Sequence, residues 1–199
     1  MSSLRAAVVV LAVTLIVSVT ATAARDLVVR GDAKAWAEIE AAFIKFTKVK
    51  SYRTKGSVTG GGTFLMEIVN PDKFHHVMDF GGVKMETIQV GKEVRFRQGG
   101  GPWMCTGQPV PVLDTDPQKL TGEVTAAKGP AAVIDGVQTQ SYTYTWKDQQ
   151  ITTYLRLFVA KSNGLPKRIE DLNDKGGVQS TFDYFDYDAP ITITLPVCR

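Results

Sequence analysis

The sequence contains little of the chemistry that catalysis usually requires. Its 199 residues include only two histidines and two cysteines, and none of the motifs Gly-x-Ser-x-Gly, Ser-x-x-Lys or His-Glu-x-x-His occurs. Because so few side chains can act as a nucleophile or carry a proton, we expect a protein that is not an enzyme. The glycine-rich stretches at Gly60 and Gly99 do not precede helical patterns, which argues against phosphate-binding loops.

The few residues that bind metals are also poorly placed for a metal site. His75 and His76 are adjacent in a strand pattern, and successive side chains of a strand point to opposite faces. Asp183, Asp186 and Asp188 offer carboxylates of the kind that calcium prefers, but a solvated strand face is the interpretation that we favour. We expect no metal and no cofactor.

Excess charge and long apolar runs are scarce as well. The formal net charge is only +3, which gives no reason to expect nucleic acid as a partner. The one long apolar run, residues 6–19, follows Arg5 and precedes Ala21-Thr22-Ala23. This order predicts a secretory signal peptide over residues 1–23, since the run is too short to cross about 30 Å of hydrocarbon. Residues 24–199 then form one soluble domain, which we expect to be a monomer without a transmembrane segment.

Short alternating runs are what the sequence has in abundance. Between Thr63 and Cys105, apolar residues stand at every second position, and turn signals follow at Asn70-Pro71-Asp72, Gly81-Gly82 and Gly91-Lys92. Such runs predict an antiparallel meander, because the loops are too short for helical crossovers.

The rest of the chain predicts a helix before the meander and more strands after it. Asp32 can cap a helix that extends to Lys48, with an apolar stripe of Trp36, Ile39, Phe43 and Phe46. Asp116-Pro117 predicts a second, short helix that ends near Gly122. We expect about ten strands in all, over residues 49–62, the meander, 124–135 (poorly patterned, of uncertain register), 138–147, 151–161, 165–172 and 178–187, and then an extended tail.

The two cysteines are predicted to pair. Cys105 and Cys198 both lie outside the predicted signal peptide. An exported chain folds in an oxidising compartment, where an even number of cysteines suggests a disulfide.

Taken in order, five segments of the chain resemble the LolA-like fold, that of the periplasmic lipoprotein carriers and their lipid-carrying relatives. The segments are Met66–Phe74, Glu86–Gly91, Arg97–Trp103, Asn163–Ile169 and Phe185–Ile191. The resemblance implies an α+β, mainly antiparallel fold. Its strongly curved meander sheet is an unclosed barrel, covered by about two helices, with an apolar hollow that binds acyl chains.

The alternation of the strands supplies candidate ligand-binding residues for such a hollow. Aromatic and methionine side chains suit a flexible apolar ligand. The candidates, all large and mostly apolar, are Trp36, Ile39, Phe43, Phe64, Met66, Ile68, Phe74, Met78, Phe80, Tyr142, Tyr144 and Trp146.

Two hypotheses on function follow. In the first, the protein is a periplasmic or extracellular carrier that binds an acyl chain, a lipid or a lipoprotein. In the second, it is a non-enzymatic sensing or protein-interaction module of the same fold. The hollow is then filled by the protein's own side chains, and the outer surface binds an envelope protein.

Export should remove the first 23 residues, because Ala21-Thr22-Ala23 follows the apolar run. The intact mass of the exported protein should equal that of the chain from Ala24, or from a neighbouring residue. A full-length mass recovered from the membrane fraction would contradict this.

Overall fold

The structure is a computed structural model that describes residues 26–106, 116–148 and 151–198. The predicted signal peptide, residues 1–23, lies outside these ranges. The described residues form one α-helix, α1 (Ala33–Phe46), one 3₁₀ helix (Pro117–Lys119) and twelve strands. The strands are β1 (Leu27–Gly31), β2 (Ser51–Val58), β3 (Gly62–Val69), β4 (Lys73–Phe80), β5 (Val83–Val90), β6 (Glu93–Gln98), β7 (Met104–Thr106), β8 (Gly122–Ile134), β9 (Val137–Lys147), β10 (Thr152–Ala160), β11 (Pro166–Leu172) and β12 (Val178–Phe185).

All twelve strands belong to one sheet. Their order is β1-β8-β9-β10-β11-β12-β2-β3-β4-β5-β6-β7, so the predicted meander, β3 to β7, follows β2 as one continuous half of the sheet. Every neighbouring pair is antiparallel except β1 and β8, which are parallel. The sheet is therefore mixed, and its edge strands β1 and β7 do not pair with each other in the described ranges. This arrangement fits the predicted unclosed barrel.

The helix α1 begins where its sequence predicts, ends at Phe46 rather than Lys48, and buries most of its apolar stripe. The Asp32 side chain accepts hydrogen bonds from the backbone N–H groups of Lys34 and Ala35, at 2.9 and 3.0 Å, and so satisfies donors that the first turn leaves unpaired. Trp36, Ile39 and Phe46 are buried. No helix in the described ranges is both long and apolar enough to span a bilayer.

The second predicted helix is only a three-residue 3₁₀ turn. Asp116 caps it, accepting from the N–H of Gln118 at 3.0 Å, and Pro117 is its first residue. The turn ends because Gly122 already pairs with Leu27 of β1. Among the described residues, a single α-helix thus packs on the sheet, rather than the two that we predicted.

Two strands at the β1 end of the sheet, β1 and β8, have only weak signals in the sequence. The strand β8 changes register between Lys128 and Ala131, and this irregularity breaks the alternation that a regular strand shows. Strand β1, only five residues long, was not predicted; the pair Val28-Val29 is its one sequence signal.

The C-terminal tail is tied to both sides of the meander. At one end, Ser51 Oγ of β2 donates to the carbonyl of Ala189 at 2.6 Å. At the other end, Cys198 forms a disulfide with Cys105 of β7, with 5.9 Å between their Cα atoms. The predicted pair is confirmed, and residues 189–198 form a strap from β2 to β7.

Removing this disulfide should destabilise the protein strongly. The bond joins residues 93 positions apart, and closing a loop of that size lowers the entropy of the unfolded chain by an amount worth about 4–5 kcal/mol. The double variant Cys105→Ser/Cys198→Ser should lose that free energy of unfolding in urea titrations. Reduction of the unmodified protein should have the same effect, and an unchanged midpoint in both experiments would contradict the role of the strap.

Candidate functional site

One face of the sheet carries the helix, and we call it the inner face; the opposite one is the outer face. On the inner face, Tyr142 and Leu157 form a core cluster with Trp36 and Ile39 of α1. From Leu157 the pairing runs straight across the sheet on the same face, through Ile169, Phe182, Gly56, Phe64 and Met78. The nine predicted strand residues all lie on this inner face: Phe64, Met66, Ile68, Phe74, Met78, Phe80, Tyr142, Tyr144 and Trp146.

The position of the helix divides the twelve predicted ligand-binding residues into two groups. It packs mainly against β1 and β8–β11, where Trp36 and Phe43 make edge-on ring contacts with Tyr144 at centroid distances of 6.1 and 6.4 Å. The first group, which meets under the helix, contains Trp36, Ile39, Phe43, Tyr142, Tyr144 and Trp146.

An apolar cavity of about 210 Å³ lies beside this first group. Its walls come from the helix, the 3₁₀ turn and strands β9–β11: Trp36, Phe43, Asp116, Pro117, Leu120, Tyr144, Trp146, Leu155 and Ile169. Pockets that hold drug-sized ligands usually measure about 300–1,000 Å³. This cavity is therefore large enough only for part of a lipid.

At the C-terminal end of the helix, an aromatic ring of α1 packs against aromatic rings on and next to β2 and β12. Phe46 contacts the rings of Tyr52, Tyr184 and Tyr187, with centroids 4.8, 5.5 and 6.1 Å away. Burial raises the pKa of Tyr52 to about 12, so its hydroxyl stays neutral at physiological pH. This end of the helix is a packed core.

The second group lies on the inner face of β3–β6, which we call the distal inner face. Within the described ranges, neither core cluster that includes α1 contains Phe64, Met66, Phe74 or Met78. The stripe of α1 was expected to face the strands of both groups; it meets Tyr142 and Tyr144 of the first group, but packs mainly away from β3 and β4. With 14 residues, the helix is about 21 Å long, roughly four strand spacings, and it starts at β8, where the Asp32 N–H bonds the Ala126 carbonyl at 2.9 Å.

Two aromatic rings on the distal inner face rest on glycines of the neighbouring strand. A Cβ atom added to Gly62 would lie 2.2 Å from the ring of Phe80. One added to Gly56 would lie 2.5 Å from the ring of Phe64 and 1.8 Å from the carbonyl oxygen of Thr181. Because Gly62 and Gly56 have no side chain, the rings of Phe80 and Phe64 lie directly against their backbone.

The inner face of β2–β6 carries no Asp, Glu, Lys or Arg. The structure describes residues 51–98 completely, and within this range His76 is the only basic residue on the inner face. The carboxylates, ammonium groups and guanidinium groups of these strands all belong to the outer face: Arg53, Lys55, Glu67, Lys73, Asp79, Lys84, Glu86, Glu93, Arg95 and Arg97.

On the outer face, several of these charges form a ladder across β2–β6. Arg53 binds Glu67 at 2.8 Å, and the ring of His75 lies between Glu67, at 3.3 Å, and Glu86, at 2.8 Å. Arg97 completes the ladder with a hydrogen bond to Glu86 of 2.5 Å. Since each pair joins neighbouring strands, the ladder favours the register that keeps charges off the inner face.

The three aspartates considered for calcium have separate partners. Asp183 forms two hydrogen bonds with Arg168, and Asp186 pairs with Arg53 at 2.7 Å. Asp188 accepts from the backbone N–H of Lys50 at 2.7 Å. His75 and His76 point to opposite faces of β4, as predicted, since they pair with Glu67 and Met66 of β3.

A scan against protein-family models finds no match, and a search of curated protein sequences finds none either. Among solved structures, the lipoprotein LppX of Mycobacterium tuberculosis aligns with a TM-score of 0.62 at 15% identity, over 82% of this chain and 100% of its own. MucB of Pseudomonas aeruginosa, in complex with MucA, aligns with a TM-score of 0.46 at 19% identity, over 76% of this chain and only 56% of its own. A LolA superfamily protein from Nitrosomonas europaea gives 0.32 at 12% identity, over 81% and 94% of the two chains.

The first of these likenesses establishes the fold, while the other two are too distant in shape to carry an argument. The chain shares the fold of LppX over the whole length of that protein. At 15% identity, this likeness shows the fold and no more.

The ladder predicts how stability depends on pH. Burial acts to raise the pKa of Glu67, but hydrogen bonds from Arg53 and His75 outweigh it and hold the pKa below its usual value. A carboxylate of this kind stabilises the fold above its unfolded pKa, and the contribution is lost as the pH falls through the folded pKa.

The variant Glu67→Gln should therefore lose about 1–3 kcal/mol of unfolding free energy at pH 7, and the difference should vanish in acid. Urea titrations from pH 7 down to pH 3 measure it. The control is Glu93→Gln, whose side chain is 64% exposed and pairs only with Arg95 among described contacts; it should change little. Equal losses for the two variants would refute the ladder's role.

Proposed function

We propose that the protein is an exported carrier that binds an acyl chain of a lipid or lipoprotein on the distal inner face. The observation that carries this proposal is the composition of that face. It presents aromatic and methionine side chains, it has no formal charge, and its residues are not part of the core under the helix.

The residues of the second group are the proposed ligand-binding residues. Phe64, Met66 and Met78 are half-buried, and Phe80 is 38% exposed, so a ligand can gain contact with them. Ile68 and Phe74 are buried and would form the floor. Methionine adapts its shape easily, which suits chains that differ in length and bending.

The energy available from such a surface is sufficient for a carrier. Each methylene removed from water contributes about 0.8 kcal/mol. A chain of about a dozen carbons then reaches micromolar affinity after the entropic costs of binding. The first group and its cavity of about 210 Å³ are proposed as a packed core that holds at most one end of the ligand.

Export of the carrier to the periplasm or the extracellular space is supported by two features. One is the predicted signal peptide, and the other is the disulfide between Cys105 and Cys198, which forms in oxidising compartments. A carrier role requires binding and release of the ligand and no covalent step.

One observation favours the second hypothesis, the sensing or protein-interaction module with a filled core. Six of the twelve predicted residues, those of the first group, pack together where the helix meets the sheet. If the same were true of the distal inner face, no ligand would bind there, and the outer surface would be left for an envelope protein partner.

A pair of neighbouring substitutions tests the carrier proposal. Met66→Glu places a carboxylate on the distal inner face, where burial without a partner is costly. Leu65→Glu places the same carboxylate one residue away, on the outer face, at a side chain that is 42% exposed. Binding is measured by the displacement of an uncharged fluorescent probe, N-phenyl-1-naphthylamine, by a monoacylglycerol, and circular dichroism verifies folding.

We expect Met66→Glu to weaken binding at least tenfold, because a cost of about 1.4 kcal/mol or more is enough for that loss, and Leu65→Glu to change it less than twofold. Equal weakening by both variants would contradict the assigned face. If the unmodified protein binds neither probe nor lipid saturably, the filled-core hypothesis replaces the carrier.

A further inference from the structure

A row that contains three polar side chains crosses the mainly apolar inner face. Thr54 of β2, Met66 of β3, His76 of β4 and Thr87 of β5 lie opposite one another in successive strand pairs. The rows on either side are mainly apolar, with Ile68 and Phe74 in one, and Phe64, Met78 and Met85 in the other.

The polar groups of this row lack partners of their own within the described part of the chain. His76 is half-buried, and its ring stands edge-on to the ring of Phe64 at 6.1 Å. Neither His76 nor Thr87 has a side-chain hydrogen bond there. The hydroxyl of Thr54, a residue only 4% exposed, has no hydrogen-bond partner either. Buried polar groups are nearly always hydrogen-bonded, but Thr54 is too deeply buried to meet a ligand, whereas the half-buried His76 and Thr87 remain accessible to one.

The electrostatic environment defines which chemical group the row accepts. Burial, reinforced by the neighbouring His75, lowers the pKa of His76, so its ring is neutral at physiological pH and offers one donor and one acceptor. The inner face of residues 51–98 has no lysine or arginine to pair with an anion. A carboxylate or phosphate would therefore be buried without a counter-charge, at a high cost, whereas an ester or hydroxyl group needs only hydrogen bonds.

We propose that His76 and Thr87 together bind the neutral ester or hydroxyl group of an acyl lipid whose chain lies on the distal inner face. This inference rests on the proposed carrier function and narrows its ligand to acylglycerol-type lipids. The two residues are directly opposite in adjacent antiparallel strands, where Cβ atoms are about 4.5–5.5 Å apart. One polar group between them can therefore bond with both. The apolar neighbours Phe64, Met66 and Met78 would hold the chain on either side.

The experiment compares ligands of one chain length that differ only in their polar end. A monoacylglycerol, the corresponding alkane and the corresponding fatty-acid anion each displace N-phenyl-1-naphthylamine from the protein. The variants are His76→Leu and Thr87→Val, which remove the hydrogen-bonding groups and keep similar volumes. The matched control is Thr54→Val, the same change on the same face, but separated from His76 by Met66.

We expect the unmodified protein to prefer the monoacylglycerol over both other ligands. His76→Leu and Thr87→Val should each reduce its affinity by about five- to tenfold, the effect of one lost hydrogen bond, and leave alkane affinity within twofold. Thr54→Val should keep the preference.

Three results would overturn the inference in distinguishable ways. If all ligands bind and the two variants leave the preference intact, His76 and Thr87 do not bind the polar group, and the carrier proposal stands. If the fatty-acid anion binds more tightly than the monoacylglycerol, the site is not selective for neutral groups. If no ligand binds the unmodified protein, the carrier proposal itself is wrong, and this inference fails with it.

Discussion

The separation of charge between the two faces of β2–β6 is the constraint on which the rest of the structure depends. Because strand side chains alternate, a shift of one residue would turn Glu67, Glu86 and Arg97 toward the inner face and the apolar rows toward solvent. The ion pairs and hydrogen bonds that cross from Arg53 to Arg97 exist only in the observed register. The polar outer face thus fixes the apolar inner face, and the disulfide-bound strap from Ala189 to Cys198 holds the edge strand β7 in the same sheet.

The length of one helix then decides how the inner face is used. Starting at β8 and ending among Tyr52 and Tyr184, α1 forms a core with half of the sheet and leaves the distal inner face to other contacts. A longer helix, or a true second helix after Asp116, would have covered more of it. The same sheet therefore combines a packed core, which supplies stability, with an apolar surface that is proposed to bind a ligand.

Local patterns in the sequence predicted most of the elements, while their long-range arrangement could not be predicted from them. Asp32 with the stripe from Trp36 to Phe46 specified the helix, and alternation placed all nine strand candidates on one face. The position of the helix over β8–β11 was missed because it depends on contacts between distant residues, such as that of Asp32 with Ala126. The ladder was missed as well, although Glu67 and His75 stand at equal distances from the turn at Pro71, which is a signal for a cross-strand pair.

The central claim is that the distal inner face binds a lipid, and methyl-group NMR of the methionines tests it most directly. Met66, Met78 and Met85 lie on that face, so their methyl resonances report on it without any substitution. Titration with a monoacylglycerol should shift these resonances together and saturably, and leave residues of the core under α1, such as the methyl groups of Ile39, nearly unchanged. Saturable shifts confined to the core, or no shift at Met66 and Met78, would contradict the account.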